Sequence, residues 1–278
     1  MRVVNKPNIS PVRAYVRCYS SFRPATKTKY RNITTYISSQ SIDYDQKATN
    51  KILYTIPVTN TAIIAGSITK EDMTKLYNTK LVRHKTGRKI YDKLMSLIPL
   101  SKCPFCGIGV ITTLDHYLPE AKFPTFSVLP YNLVASCKDC NTGKLASFSS
   151  TQNEQTLHPY YDDYTKEQWL YAKVLQTTPV SIEFYVKTPE KWNQVDKDRV
   201  KTHFKNYQLA KRYSIEASNV LADLKSEFSL FNTKTVDIQI ELKKKFRVFY
   251  SKYKNSWETA MYQALYKNQW YCTKGYSQ

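Results

Sequence analysis

Apolar residues in the second half of this chain recur at helical spacing. Val200, Phe204, Tyr207 and Leu209 to Leu224, then Ile238 to Tyr253, then Trp257 to Trp270 each place them three and four apart, which predicts a run of helices. Val180 to Val186 alternates instead and predicts a strand. Nearer the start, Thr69-Lys70-Glu71-Asp72 reads as a capping box ahead of Met73, Leu76, Tyr77 and Leu81, and a second helix is expected from Lys89 to Leu97, stopped by Pro99. Residues 1–60 are rich in Tyr, Thr, Ser and Asn with little periodicity, so irregular structure with short strands such as Lys51 to Val58 is expected there. Paired cysteines and prolines fill residues 101–150, and a loop is expected from about Ser147 to Thr165. The pattern predicts an α+β protein in three regions: 1–98, 99–165 and a mainly helical 166–278.

Charge changes this picture from a fold into a candidate partner. The 278 residues carry 42 Lys and Arg against 22 Asp and Glu, a formal +20. Residues 1–100 hold +13, residues 101–165 hold −2 and residues 166–278 hold +9, so two basic wings flank a slightly acidic centre. Such an excess points to a polyanion, with the wings on phosphates and the centre suited to a cation. A Lys-rich surface that only keeps the protein soluble is the plain alternative. No run approaches the roughly 18 apolar residues of a membrane span, and the basic start lacks a signal-peptide apolar core, so a cytoplasmic protein without membrane contact is expected.

Four of the six cysteines form Cys103-Pro-Phe-Cys106 and Cys137-Lys-Asp-Cys140, two knuckles whose thiolates suit tetrahedral zinc. Thirty residues separate Cys106 from Cys137, more than a simple ribbon needs, so a folded insert is expected between them. Disulfides and a redox pair compete with zinc, but a cytoplasmic chain disfavours the first and two matched knuckles the second. Cys18 and Cys272 are expected to be ordinary free thiols.

Beside the knuckles stand Leu114-Asp115-His116-Tyr117-Leu118-Pro119, Tyr131-Asn132-Leu133-Val134 and Cys140-Asn141-Thr142-Gly143-Lys144. Over about residues 101–160 this combination resembles the HNH, or ββα-metal, endonucleases in which zinc knuckles bracket the motif. The resemblance implies a structural zinc and a catalytic Mg²⁺ or Mn²⁺. Phosphodiester hydrolysis needs an activated water and a positive charge on the developing phosphorane. His116 is suited to take the water's proton, and Asp115, on the opposite strand face, to bind the hard cation. By resemblance, Asn132 orients the His116 ring and Asn141 supplies a second oxygen to the metal, with His158 of Leu157-His158-Pro159-Tyr160 as the alternative final ligand. Asp162 and Asp163 read as a solvated loop, and His84 and His203 as ordinary histidines.

Thr86-Gly87-Arg88-Lys89-Ile90-Tyr91-Asp92, the Phe123 to Pro130 stretch and the later His-Pro-Tyr look like HNH subunits of Septu-type anti-phage systems, which work with an ATPase. That likeness implies an ATPase partner and phosphate contacts from Arg88 and Lys89, a plain surface role being the alternative; Lys144 is a further candidate for substrate contact. The expectation is therefore a divalent-metal-dependent nuclease acting on nucleic acid, chiefly DNA. A zinc-ribbon subunit that binds nucleic acid without cutting is the rival, and wings that dock proteins are a third reading. Salt dependence of binding tests the last.

Overall fold

Tyrosine turns the N-terminal segment into helices. The computed structural model describes residues 2–144, 148–230 and 234–278, the side chains of Lys144 and Val236 excepted. Where irregular structure was the expectation, three helices form: α1 (Pro11–Tyr19), α2 (Pro24–Arg31) and α3 (Thr34–Thr49). Prolines open α1 and α2, where the missing N–H costs nothing, and the Ser10 hydroxyl caps α1 by accepting from the Arg13 N–H at 3.3 Å. Ile37, Ser41, Tyr44 and Ala48 form the buried face of α3, a helical spacing hidden by its polar letters. Phe22 stacks on Tyr30 with centroids 5.1 Å apart, and the buried phenols are satisfied because Tyr15 and Tyr30 donate to the carbonyls of Tyr30 and Asp72, each at 2.9 Å. The expected strand at 51–58 is instead a 3-10 turn, Leu53–Thr55, entered through Lys51 at φ +59°.

A small hairpin, β1 (Ile63–Ala65) and β2 (Ile68–Thr69), leads into α4 (Lys70–Lys75), where Thr69 and Asp72 form the expected capping box. The helix continues as a π-helical turn, Leu76–Leu81, and then α5 (Lys85–Met95) begins four residues earlier than its apolar spacing implied. Gly87 permits that start, because a Cβ there would lie 2.1 Å from the Lys80 carbonyl oxygen. Across α5 lie β3 (Thr113–His116) and β4 (Leu133–Ser136), an antiparallel pair followed at once by α6 (Lys138–Lys144). All of this, residues 2–162, is one compact unit, so the expected boundary near residue 98 falls inside it.

Residues 163–278 form the second unit. Its hairpin pairs the predicted strand, β6 (Ser181–Val186), with β5 (Leu170–Leu175), which the hydropathy pattern did not reveal. The helices α7 (Gln194–Asn206), α8 (Leu209–Leu230), α9 (Thr235–Lys252), α10 (Trp257–Lys267) and α11 (Gln269–Thr273) follow the apolar periodicity. Within this unit α8 packs on β6, and α10 on β5 and α9. The chain is thus a mainly helical α+β protein with three two-stranded antiparallel sheets among the described residues. None of its described helices is long and apolar enough to cross a membrane.

Candidate active site and metal centre

The first knuckle is a tight hairpin. Gly107 adopts φ +78° and donates its N–H to the Cys103 carbonyl at 2.7 Å, while the Cys103 N–H returns to Gly109 at 2.8 Å and the Gly109 N–H points at the Cys106 sulfur at 3.4 Å. The second knuckle is made by the start of α6, whose first turn brings Cys137 and Cys140 to one side. All four cysteines are buried, and their sulfurs lie within 4.8 Å of one another, Cys106 and Cys137 at 3.8 Å. A tetrahedral zinc with bonds of about 2.3 Å needs sulfurs about 3.8 Å apart, so this cluster can hold zinc. Hydrogen bonding among the four sulfurs lowers the Cys106 and Cys137 thiols and raises those of Cys103 and Cys140. Cys18 and Cys272 are buried and unbridged, and burial pushes the Cys18 thiol up to about 12.

In the β3–β4 register, Asp115 faces Val134 and His116 faces Leu133, so strand alternation sends the two side chains to opposite faces. Asp115 is only 6% exposed, and His116 is half-buried. The His116 Nε2 lies 2.9 Å from the Ser127 carbonyl, and its ring meets the edge of Tyr77 with centroids 4.5 Å apart. Tyr77 comes from the π-helical turn, a local geometry that recurs at functional sites. Asn141 is half-buried in the first turn of α6.

Asn132 is placed differently from the expectation. It is fully buried, and all four of its hydrogen-bonding valences are used. Its Oδ1 accepts from the Leu118 N–H at 2.7 Å and the Tyr44 hydroxyl at 3.1 Å, while Nδ2 donates to the carbonyls of Leu118 at 3.1 Å and Phe126 at 3.4 Å. Asn132 therefore makes no hydrogen bond to the His116 ring. It ties down the loop whose Ser127 carbonyl meets that ring. His158, 2% exposed, also belongs to this scaffold: its Nδ1 accepts from the Tyr160 N–H at 3.2 Å, and its Nε2 lies 3.3 Å from the Tyr44 hydroxyl. Since Nδ1 accepts, a neutral ring carries its proton on Nε2, facing the tyrosine that donates onward to Asn132. Asp162 is not solvated as expected but buried, accepting from the His158 N–H at 2.7 Å, whereas Asp163 is exposed.

Two neighbours of His116, Tyr77 and Ser127, and a carboxylate that acts on Tyr77, Glu120, are not marked by the sequence. Tyr77 lies 39 residues from His116 along the chain and Ser127 lies 11, and no motif links either to it. Glu120 stands inside the Leu118-Pro119-Glu120 stretch, where a loop carboxylate reads as solvated. Its Oε1 is instead buried without a hydrogen-bond partner, and burial raises its pKa against the lowering effect of the nearby Ser127 and Thr74 hydroxyls. Burial, then the neighbouring Tyr91, Glu120 and Asp115, push the Tyr77 phenol above its usual range, so both carboxylates act on the ring that abuts His116.

Over 228 residues the chain is 37% identical to Protein ea31 of Escherichia phage lambda, an alignment spanning 76% of this chain and 77% of that one. The chain belongs to the ea31 family. No family model matches it, and no solved structure does. In this ea31-family chain the remaining sequence-predicted residues have separate fates. Arg88 is occupied, with Nε on Asp92 at 2.7 Å and its guanidinium over the Tyr91 ring at 4.5 Å. Lys89 is exposed. The Lys144 side chain lies outside the described residues. His84 caps α5 through Nδ1, and His203 is buried beside the Tyr207 ring.

Proposed function

We propose that this ea31-family protein is a divalent-metal-dependent HNH endonuclease that hydrolyses phosphodiester bonds of nucleic acid, with DNA as its main substrate. One observation carries the reading: a half-buried histidine beside a buried aspartate sits on the first strand of an antiparallel pair that runs directly into an Asn-bearing helix, beside a four-cysteine cluster. The Ser127 carbonyl can only accept, so the Nε2 it meets carries the ring proton and the lone pair falls on Nδ1, as a general base needs. Tyr77 and the loop fastened by Asn132 hold the imidazole in one orientation. Asp115 and Asn141 offer the oxygens that would hold the Mg²⁺ or Mn²⁺. That cation, when bound, neutralises charge developing on the phosphoryl oxygens. The cysteine cluster anchors the β4–α6 side of the constellation, because Cys137 directly follows β4 and Asn141 directly follows Cys140.

Incubating the purified protein with plasmid and Mg²⁺ or Mn²⁺ tests the reading. His116→Ala is expected to lower cleavage by about 10²- to 10⁴-fold while leaving DNA affinity within about twofold, and a variant that still cuts near the parental rate overturns it. A zinc-ribbon subunit that only binds is the second reading. It is favoured by the structural roles of Asn132 and His158, which account for two motif residues without chemistry. Complete absence of cleavage in both proteins supports it. The nuclease reading extends to the cutting subunit of an anti-phage complex, because a +20 chain needs restraint and its six glycines form no GxxxxGK[ST] loop. An ATPase co-purifying with natively expressed protein is the expected result for that extension.

A further inference from the structure

Helices α1 and α5 pack side by side in the unit of residues 2–162 and leave a cleft of about 180 Å³. Its walls carry Arg13 and Arg17 from α1 and Lys89 and Lys93 from α5, and no acidic side chain lines it. Each pair is four residues apart, so both members face the same way, one turn of about 6 Å along the axis. Ala14 and Ile90, both buried, give the cleft a fixed floor.

Other cations in this unit behave differently: Lys6 pairs with Asp45, Lys29 with Asp72, Lys47 with Asp43 and Arg88 with Asp92. The four cleft cations are exposed, and among the described residues none has an ion pair. Ser10, the N-cap of α1, also lines the cleft, so the positive end of that helix dipole adds to the same potential. Four unmatched like charges repel one another in the free protein, and an anion laid between them removes that repulsion.

We propose that the α1–α5 cleft grips the nucleic-acid backbone, its two rows of cations neutralising successive phosphates. The polymer's identity rests on the nuclease reading, but the grip itself does not. Two open rows suit a chain of phosphates, whereas a single free phosphate is held by an enclosed nest of N–H donors.

The test uses full-length protein carrying His116→Ala, so that cleavage plays no part. Binding to a fluorescein-labelled 20-base-pair DNA duplex is followed by anisotropy between about 50 and 200 mM NaCl, without added divalent metal. R13A/R17A/K89A/K93A is compared with a charge-matched control, K187A/K211A/K243A/K274A, after circular dichroism confirms that both fold. Loss of four phosphate contacts is expected to flatten the slope of log affinity against log salt by about 3 to 4. It should weaken binding by at least about 100-fold at the middle of this range, while the control weakens only a few-fold. Equal losses in the two variants show bulk charge alone and overturn the proposal, as does unchanged binding by the cleft variant. Displacement of the duplex by inorganic phosphate beyond the effect of chloride at equal ionic strength assigns the cleft to a free anion and overturns it too. A protein that never cuts DNA can still pass this test, and an active nuclease with an unchanged slope still fails it.

Discussion

Two buried asparagines, one in each unit, do the same physical work with different consequences. Asn132 ties Leu118, Phe126 and Tyr44 together; Asn255 accepts from the N–H groups of Trp169 and Leu170 at 2.7 and 3.1 Å and donates to the carbonyls of Tyr164 and Glu167 at 3.1 and 2.8 Å. In both, every valence of the amide is used, and irregular backbone that could not pair with itself is satisfied. Asn255 thereby seats the start of β5. Asn132 seats the loop whose carbonyl meets His116. A motif asparagine is therefore not chemical by nature: its importance lies in what its loop carries.

Replacing one thiolate breaks this comparison most severely. Cys137→Ser is expected to abolish zinc binding and unfold the 2–162 unit around Asn132, since structural zinc in small ribbons carries about 10–16 kcal/mol of apparent binding energy. The region around Asn255 should stay helical. Elemental analysis with limited proteolysis reads both, and a variant of unchanged proteolytic pattern would show that the cluster is not structural.

Next in size come the asparagines themselves. Asn132→Ala strands four buried groups and Asn255→Ala three, since the Tyr164 carbonyl keeps the Trp169 indole N–H; at about 1 to 3 kcal/mol apiece they should cost at least about 4 and about 3 kcal/mol by denaturant titration. Only Asn132→Ala is expected to reduce cleavage measured on protein that remains folded. Equal loss of activity in both variants would show that Asn132 has no special bearing on His116.

Glu120→Gln should have the smallest effect, and its size depends on pH. Burial raises the folded-state pKa of Glu120, so protonation favours the native state, and that stability is fully present below the ordinary carboxylate range and lost as pH rises through the raised value. The variant is therefore expected to match the parent near pH 4 and to melt higher at pH 7, by on the order of 2 °C. Thermal melts at the two pH values check it, and a difference that is the same at both would mean that Glu120 is not held in a desolvating site.

Much of this protein is local and therefore legible without coordinates. The Thr69–Asp72 cap, the two cysteine knuckles, the strand at 181–186 and the C-terminal helices each depend on residues within a few positions of one another, where spacing and geometry are the same thing. The N-terminal helices are the instructive failure. Tyr15, Tyr30 and Tyr44 count as half-polar in any pattern, and whether such a ring is buried depends on a distant partner for its hydroxyl: the Tyr30 carbonyl, the Asp72 carbonyl and Asn132. Arg88 and Lys89 are neighbours of like charge, yet one is tied to Asp92 and the other left in a basic cleft, because α5 turns their side chains about 100° apart.

Four cysteines able to hold zinc, the Asp-His pair and the basic charge are readable from the chain alone, all properties of residue type and spacing. Folding adds that Asn132 and His158 are scaffold, that Tyr77 and Ser127 meet His116 with Glu120 acting on Tyr77, and that four cations share one cleft. Burial and hydrogen-bond satisfaction are set by groups that folding brings together from different elements, which no local pattern encodes.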